Sequence, residues 1–332
     1  MNDIKIVQVG MGPLGIKIAE FIAGRPGLRT VAAIDTAADK KGKSLKEFSP
    51  YLNGNIEISG DLKQALSTAP DVAVLTTVSD MKRITKQVVE IVKRGIPVVS
   101  TCEELSFPYE TAPELAVEID TAARANNVAV VGTGVNPGFL MDALPVFLTS
   151  VCRQVESIKV NRYQDASFRR IPFQDKIGAG LSPDDFEMAK NKGILRHVGL
   201  TESIHFIAGK MGWKLERTED VISPVFATKD IFRPSRTIKK GYAAGVRQVG
   251  RGFINGQAKV ELVFQAAIGE PESYDEVEVT GIPGFKSRIE GGINGDTATC
   301  AITVNAISSV IRAQPGLRTM ADIPMTSYFE YR

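Results

Sequence analysis

The stretch Ile4-Lys5-Ile6-Val7-Gln8-Val9-Gly10-Met11-Gly12-Pro13-Leu14-Gly15 runs an apolar strand pattern straight into three spaced glycines. Gly10 suits the tight turn off the strand, and Gly12 a close approach of backbone to a pyrophosphate. Gly15 suits close packing of the following helix on the sheet. The amphipathic run Leu14 to Ala23 supplies that helix, whose free N–H groups and positive dipole end would hold phosphates. Asp35 ends the next strand-like run, Thr30 to Ile34, about 20 residues past the last glycine, where a ribose contact is required. The pattern predicts a dinucleotide site; the alternative is a tight structural turn in another α/β protein.

Outward from this stretch, strand and helix signals alternate. Val72 to Thr76, Pro97 to Thr101 and Val128 to Val131 read as buried parallel strands. Met81 to Lys93 and about Thr111 to Asn126 read as the helices between them. The fold class expected is α/β: a doubly wound parallel sheet of the Rossmann type, then an α+β domain for substrate binding and dimerisation. The second domain is signalled by a strand at Val155 to Tyr163, helices at Pro183 to Lys192 and His197 to Met211, and four alternating runs. Those runs are Val246–Ile254, Lys259–Ala267, Tyr274–Thr280 and Phe285–Ile289, and they predict a mainly antiparallel sheet. The expected boundaries are 1–135 and 136–295, with a final helix, Asp296 to Arg312, in a segment 296–332 that packs back on the first domain.

Composition excludes several classes. At 43% hydrophobic and 23% charged residues, the chain has ample material for two cores. A net charge of +2 without a long basic run gives no reason to expect nucleic acid or a membrane surface as partner. No apolar stretch approaches the ~20 residues needed to cross a bilayer, and no secretory signal pattern opens the sequence. The three cysteines are far apart, and with only two histidines a metal site is not expected. A cytoplasmic location with reduced thiols follows as the expectation.

In parallel sheets ligands bind beyond the carboxyl ends of the strands. The cofactor contacts expected there are Gly10, Met11, Gly12, Pro13, Leu14, Gly15, Asp35, Thr76, Thr77, Val78, Ser79, Thr101, Cys102, Asn136 and Pro137. In Ser100-Thr101-Cys102-Glu103-Glu104-Leu105, Glu103 fits a polar turn position, and Glu104 is the candidate for the cleft. The residue type carries chemical information. Hydride transfer to a ketone calls for a cation or an acid beside the developing oxyanion, and no lysine stands here. A carboxylate instead stabilises an iminium and can take a proton from ammonium, so Glu104 favours C–N over C–O chemistry. The Asn136 amide or a neighbouring carbonyl could fix a nicotinamide carboxamide; a plain linker turn is the alternative. Arg162, at a strand end, is the candidate for a substrate carboxylate, against a structural ion pair. His197 could face the cleft or cap its helix. Asp35 favours NAD, while Lys40, Lys41 and Lys43 could accommodate the phosphate of NADP or form a solvated run.

Together, the glycine fingerprint, Ser-Thr-Cys-Glu-Glu-Leu at 100–105, Gly-Thr-Gly-Val-Asn-Pro-Gly-Phe-Leu-Met-Asp at 132–142, Asp-Ala-Ser-Phe-Arg-Arg at 165–170 and His-Val-Gly-Leu-Thr-Glu-Ser at 197–203 resemble the 2,4-diaminopentanoate dehydrogenase family. That family includes native NAD(P)-dependent amine dehydrogenases. The resemblance implies reversible reductive amination of a ketone or aldehyde with ammonia, a catalytic glutamate at Glu104 and a homodimer. It also implies a substrate pocket at Asn136, Phe139, Arg162, Phe168, His197 and Thr303. Dihydrodipicolinate reductases share such a first domain but carry a paired-histidine motif, and this chain has no His-His pair. Another NAD(P)-dependent reductase of a carbonyl or cyclic imine is the enzymatic alternative. A dinucleotide-binding sensor without turnover is the non-enzymatic one.

Overall fold

The computed structural model describes residues 3–195, 198–233 and 236–330. The chain divides into two compact units, Met1–Phe139 with Asn294–Arg332, and Leu140–Ile293. The sequence placed the divisions at 135/136 and 295/296. Gly138 keeps the 136–139 turn with the first unit, because its backbone lies on that of Thr133 and Gly134, a built Cβ falling 2.4 Å from the Gly134 N.

The first unit opens β1 (Ile4–Val9), α1 (Pro13–Ala23), β2 (Leu28–Ile34), β3 (Ile58–Ser59), α2 (Leu62–Leu66), β4 (Val72–Leu75), α3 (Met81–Val92), β5 (Val98–Ser100), α4 (Pro113–Ala125) and β6 (Ala129–Gly132). The strands pair in the order β6-β5-β4-β1-β2-β3, all parallel. β4, β5 and β6 are buried at every position, as strands covered on both faces must be. In α3, Met81, Ile84, Val88 and Ile91 recur at helical spacing and form its buried stripe.

The second unit contains α5 (Ala143–Leu148), β7 (Gln154–Asp165), α6 (Ile171–Lys176), α7 (Pro183–Asn191), α8 (Leu200–Lys210), β8 (Arg217–Phe226), β9 (Ile231–Arg233), β10 (Arg236–Ile238), β11 (Ala243–Ile254), β12 (Gln257–Ala267), β13 (Tyr274–Ile282) and β14 (Phe285–Glu290). Its six-stranded sheet runs β14-β13-β7-β12-β11-β8, antiparallel except for the pair β7–β12. The helix α8 packs on β8, β11 and β12 and carries Leu200, Ile204 and Ile207 into the core shared with Val160, Val246 and Leu262. The strand β8 is absent from the sequence expectation. It is an edge strand that carries Arg217, Glu219, Asp220 and Pro224, a composition that suits an edge and hides the strand pattern.

After this unit, α9 (Gly295–Ile311) returns to pack on α1, β4, β5 and β6, and β15 (Gly316–Arg318) pairs parallel with β6 as a seventh strand of the first sheet. No helix among the described residues is long and apolar enough to cross a membrane.

Candidate active site

The glycine turn explains its own residue choices. Gly10 has φ +93°, and a side chain on Gly15 would lie 2.0 Å from the Gly10 carbonyl oxygen. Helix and turn therefore touch through bare backbone. Gly12 is different, because a Cβ there would meet nothing within 4 Å and would project into open space. Pro13 occupies the first turn of α1, where its missing N–H costs nothing, and Gly12 offers that turn no capping side chain. Around the turn, Gln8 Nε2 donates to Thr76 Oγ1 (2.9 Å), and Thr76 Oγ1 donates to the Gly10 carbonyl (2.8 Å). Thr76 thus buttresses the turn.

A cleft of about 510 Å³ opens beyond these strand ends, wholly within the first unit. It brings together Gly10, Gly12, Asp35, Thr76, Thr77 and Val78 from the sequence expectation. It also includes Lys40, Arg83 and Gln87, which the expected contact set omits. Arg83 and Gln87 lie one helical turn apart on α3, and that spacing of four is the signal that could have found them. Gln87 is fixed by Thr77 Oγ1, which donates to its Oε1 (2.8 Å).

Asp35 lies just past β2 with both carboxylate oxygens bonded. Oδ1 accepts from Ala37 N–H (2.9 Å), and Oδ2 accepts from Met11 N–H (2.8 Å) and Lys40 Nζ (2.9 Å). Burial pushes its pKa up, but the bonds from Ala37, Lys40 and Met11 outweigh it and hold the group below the usual carboxylate range. Met11 contributes its backbone here; its side chain is fully buried in a small core with Ala19, Ala33 and Leu45.

Glu104 stands in a short 3-10 helix, Glu103–Ser106, after β5. Ser100 sets the bend: its hydroxyl donates to the Leu75 carbonyl and accepts from Cys102 N–H, both at 3.1 Å. The backbone at Leu105 lies directly over Gly132, where a Cβ would fall 2.5 Å from the Leu105 carbonyl carbon. Glu104 N–H donates to the Ser79 carbonyl (3.3 Å), and Glu104 Oε2 accepts from Met81 N–H (2.8 Å), the first residue of α3. The carboxylate makes no other hydrogen bond among the described residues. Thr101 is half-buried. The Cys102 side chain, by contrast, turns into the core and is 1% exposed, and burial raises its thiol pKa. It offers the cleft no side chain.

Asn136, before a cis bond to Pro137, is buried, and neither its Oδ1 nor its Nδ2 finds a partner among the described residues. Val135 N–H donates to Thr299 Oγ1 (3.3 Å) on α9. One turn on, the fully buried Thr303 Oγ1 donates back to the Thr299 carbonyl (2.7 Å). Phe139 is half-buried at the end of the first unit.

In the second unit Arg162 stands in a buried ion pair. It is 2% exposed, and its guanidinium donates to Asp275 Oδ1 (2.5 Å) and the Ile293 carbonyl (2.8 Å). Asp275 Oδ2 in turn accepts from Ile293 N–H (2.7 Å). The two side chains face each other across β7 and β13, so the alternative of a structural ion pair describes this arginine. Phe168 is 91% exposed and therefore packs in no apolar pocket of its unit. His197 lies outside the described residues.

Comparison with known proteins fits this architecture. A family model for the 2,4-diaminopentanoate dehydrogenase C-terminal domain matches residues 139–330. The chain is 32% identical to a 2,4-diaminopentanoate dehydrogenase of Acetoanaerobium sticklandii, over 98% of this chain and 94% of that one. It is 21% identical to an amine dehydrogenase of Streptomyces virginiae, over 97% of this chain and 96% of that one. An amine dehydrogenase structure from Mycobacterium smegmatis shares the fold, with a TM-score of 0.84, 20% identity and 99% of each chain covered. The chain belongs to the 2,4-diaminopentanoate dehydrogenase family.

Proposed function

We propose that the protein is a nicotinamide-dinucleotide-dependent amine dehydrogenase that interconverts a ketone or aldehyde plus ammonia with a primary amine. The observation that carries this reading is the likeness, along nearly the whole chain, to a 2,4-diaminopentanoate dehydrogenase. Two features of the first unit fit the cofactor. The space in front of Gly12 is a cradle that a Cβ would fill, at the start of a helix whose dipole favours phosphate. The buried Asn136 amide, with a donor and an acceptor both unused, matches the carboxamide of a nicotinamide. Asp35 would meet the adenosine ribose.

A nicotinamide held there would supply the hydride that turns an iminium carbon into an amine carbon. Glu104 handles the rest. Its Oε1 accepts a proton from ammonium, and the ammonia released adds its electron pair to the carbonyl carbon. A proton passes from the added nitrogen to the oxygen, Glu104 gives its own proton to that hydroxyl, and water leaves as the C=N bond forms; the regenerated carboxylate stabilises the positive iminium that results. The net change is carbonyl, ammonia, reduced dinucleotide and a proton to amine, oxidised dinucleotide and water. Met81 N–H holds Oε2, so the carboxylate keeps one oxygen fixed while the other works.

The reading includes a homodimer in the cytoplasm, consistent with three free cysteines, of which Cys102 and Cys300 are buried. The test of the function is consumption of reduced dinucleotide with a panel of carbonyl compounds, with and without ammonium. Turnover that requires ammonium is expected; equal turnover without it overturns the reading in favour of a carbonyl reductase.

A further inference from the structure

Asp35 presents a contradiction. An acid at the end of β2 should repel the extra phosphate of NADP, yet this acid is already paired with a cation. Lys40 Nζ lies 2.9 Å from Asp35 Oδ2, with only 21% of the lysine side chain and 13% of the aspartate side chain exposed. The lysine is held there by its backbone: Lys40 and Lys41 N–H both donate to the Ala37 carbonyl (3.0 and 3.1 Å). Gly42 N–H donates to the Ile58 carbonyl (2.9 Å), which ties the turn to β3.

Other cations flank the pair. Lys41 lies along Gly60, a cleft residue, its Nζ 3.2 Å from where a Cβ on that glycine would sit. Arg83, on the α3 side of the cleft, is 73% exposed and only loosely paired, 3.8 Å from Asp80. Lys40 is thus the least exposed of three cations at a cleft with basic groups on both sides. It can leave Asp35 without stranding it, because Met11 and Ala37 N–H still hold one oxygen each.

We propose that Lys40 is the residue that lets this site take NADP as well as NAD, by exchanging its partner between the Asp35 carboxylate and a 2′-phosphate. With NAD the lysine stays on Asp35, whose Oδ1, bonded by Ala37 N–H alone, can accept one more bond from a ribose hydroxyl. With NADP the ammonium turns to the phosphate, a charge-assisted bond that replaces the one it gives up. The proposal rests on the dinucleotide reading above, and its test separates the two.

The test is direct titration of the full chain with NADH and NADPH, read by the fluorescence of the reduced nicotinamide. Wild type is expected to bind both, with Kd values within about tenfold of each other. Lys40→Ala should weaken NADPH about 10- to 100-fold more than NADH, the size of one charged hydrogen bond. Lys40→Arg, which keeps the charge, should restore NADPH binding to within about tenfold of wild type. Equal weakening of both dinucleotides by Lys40→Ala, or no change in NADPH binding, overturns the proposal and leaves the dinucleotide site intact. Wild type that binds neither dinucleotide overturns the dinucleotide reading itself.

Discussion

Asp35 and Glu104 stand at the carboxyl edge of one parallel sheet, past β2 and past β5, and each is pinned by a backbone N–H at 2.8 Å. Both N–H groups belong to places where a strand gives way to a helix: Met11 in the glycine turn before α1, and Met81 opening α3. The resemblance ends there. Asp35 accepts two further bonds, one of them from a lysine. Glu104 accepts one bond in all among the described residues and has no lysine partner. A saturated carboxylate is a fixture, suited to holding a ligand in place. A carboxylate with one oxygen fixed and one unused is suited to moving a proton. Position on the sheet alone makes the two look alike; the number of donors aimed at each tells them apart.

The largest effect should come from removing the unused oxygen. Glu104→Gln keeps an acceptor for Met81 N–H but cannot take a proton. It is expected to lower kcat for reductive amination about 100- to 10,000-fold, with the Kd for reduced dinucleotide within about threefold of wild type. A variant that keeps more than half of wild-type kcat would place the proton-accepting group elsewhere and erase the distinction drawn here.

A carboxylate in the second unit extends the comparison to a purely structural role. Asp275 and Arg162 are 6% and 3% exposed at their side chains, and the ion pair is closed on both sides by Ile293. Burial pulls the Arg162 pKa down, yet Asp275 opposes that pull. Arg162→Met leaves Asp275 charged and buried, and should cost about 3–5 kcal/mol in chemical denaturation. Were Arg162 a substrate-binding residue instead, stability would be nearly unchanged and KM alone would rise.

That pair also marks where sequence reading stops. The glycine turn, Asp35 and the apolar strands were legible because each signal is local: spacing within a strand–turn–helix unit. Arg162 and Asp275 are partners only because β13 lies beside β7, a neighbour relation between residues 113 apart that no local pattern encodes. Lys40 was visible as one of a lysine cluster, but its bond to Asp35 depends on how the 37–42 turn closes. Cys102 was placed by its position along the chain and Phe168 by the family resemblance, and in the structure one faces the core and the other faces solvent. Glu104 was proposed from its residue type. Its anchor on Met81 was not, since it needs α3 to start beside the end of β5.

The glycines allow a smaller and cleaner discrimination between holding the fold and holding a ligand. Gly12→Ala adds a methyl into open space, so stability should change by less than about 0.5 kcal/mol, while dinucleotide Kd rises about tenfold, the worth of roughly one lost hydrogen bond. Gly15→Ala drives the same methyl to 2.0 Å from the Gly10 carbonyl oxygen and must shift the turn itself. Loss of both stability and binding is expected there. Equal thermal shifts for the two variants would mean that Gly12, like Gly15, is a packing glycine.

The smallest effect lies in the acid limb of the stability curve. Asp35 has its pKa lowered on folding, because the bonds from Ala37, Lys40 and Met11 N–H outweigh the opposing effect of burial. A carboxyl whose folded pKa lies below its unfolded value stabilises the fold above the unfolded value, about pH 4, and loses that contribution as pH falls through the folded value. Wild type should therefore lose stability more steeply than Asp35→Asn as pH drops below about 4, with the two curves parallel at neutral pH. Denaturant unfolding followed from neutral pH into acid measures the variant against wild type. An Asp35→Asn curve that follows wild type throughout the acid range would show that the bonds to Asp35 do not hold its charged form in the fold.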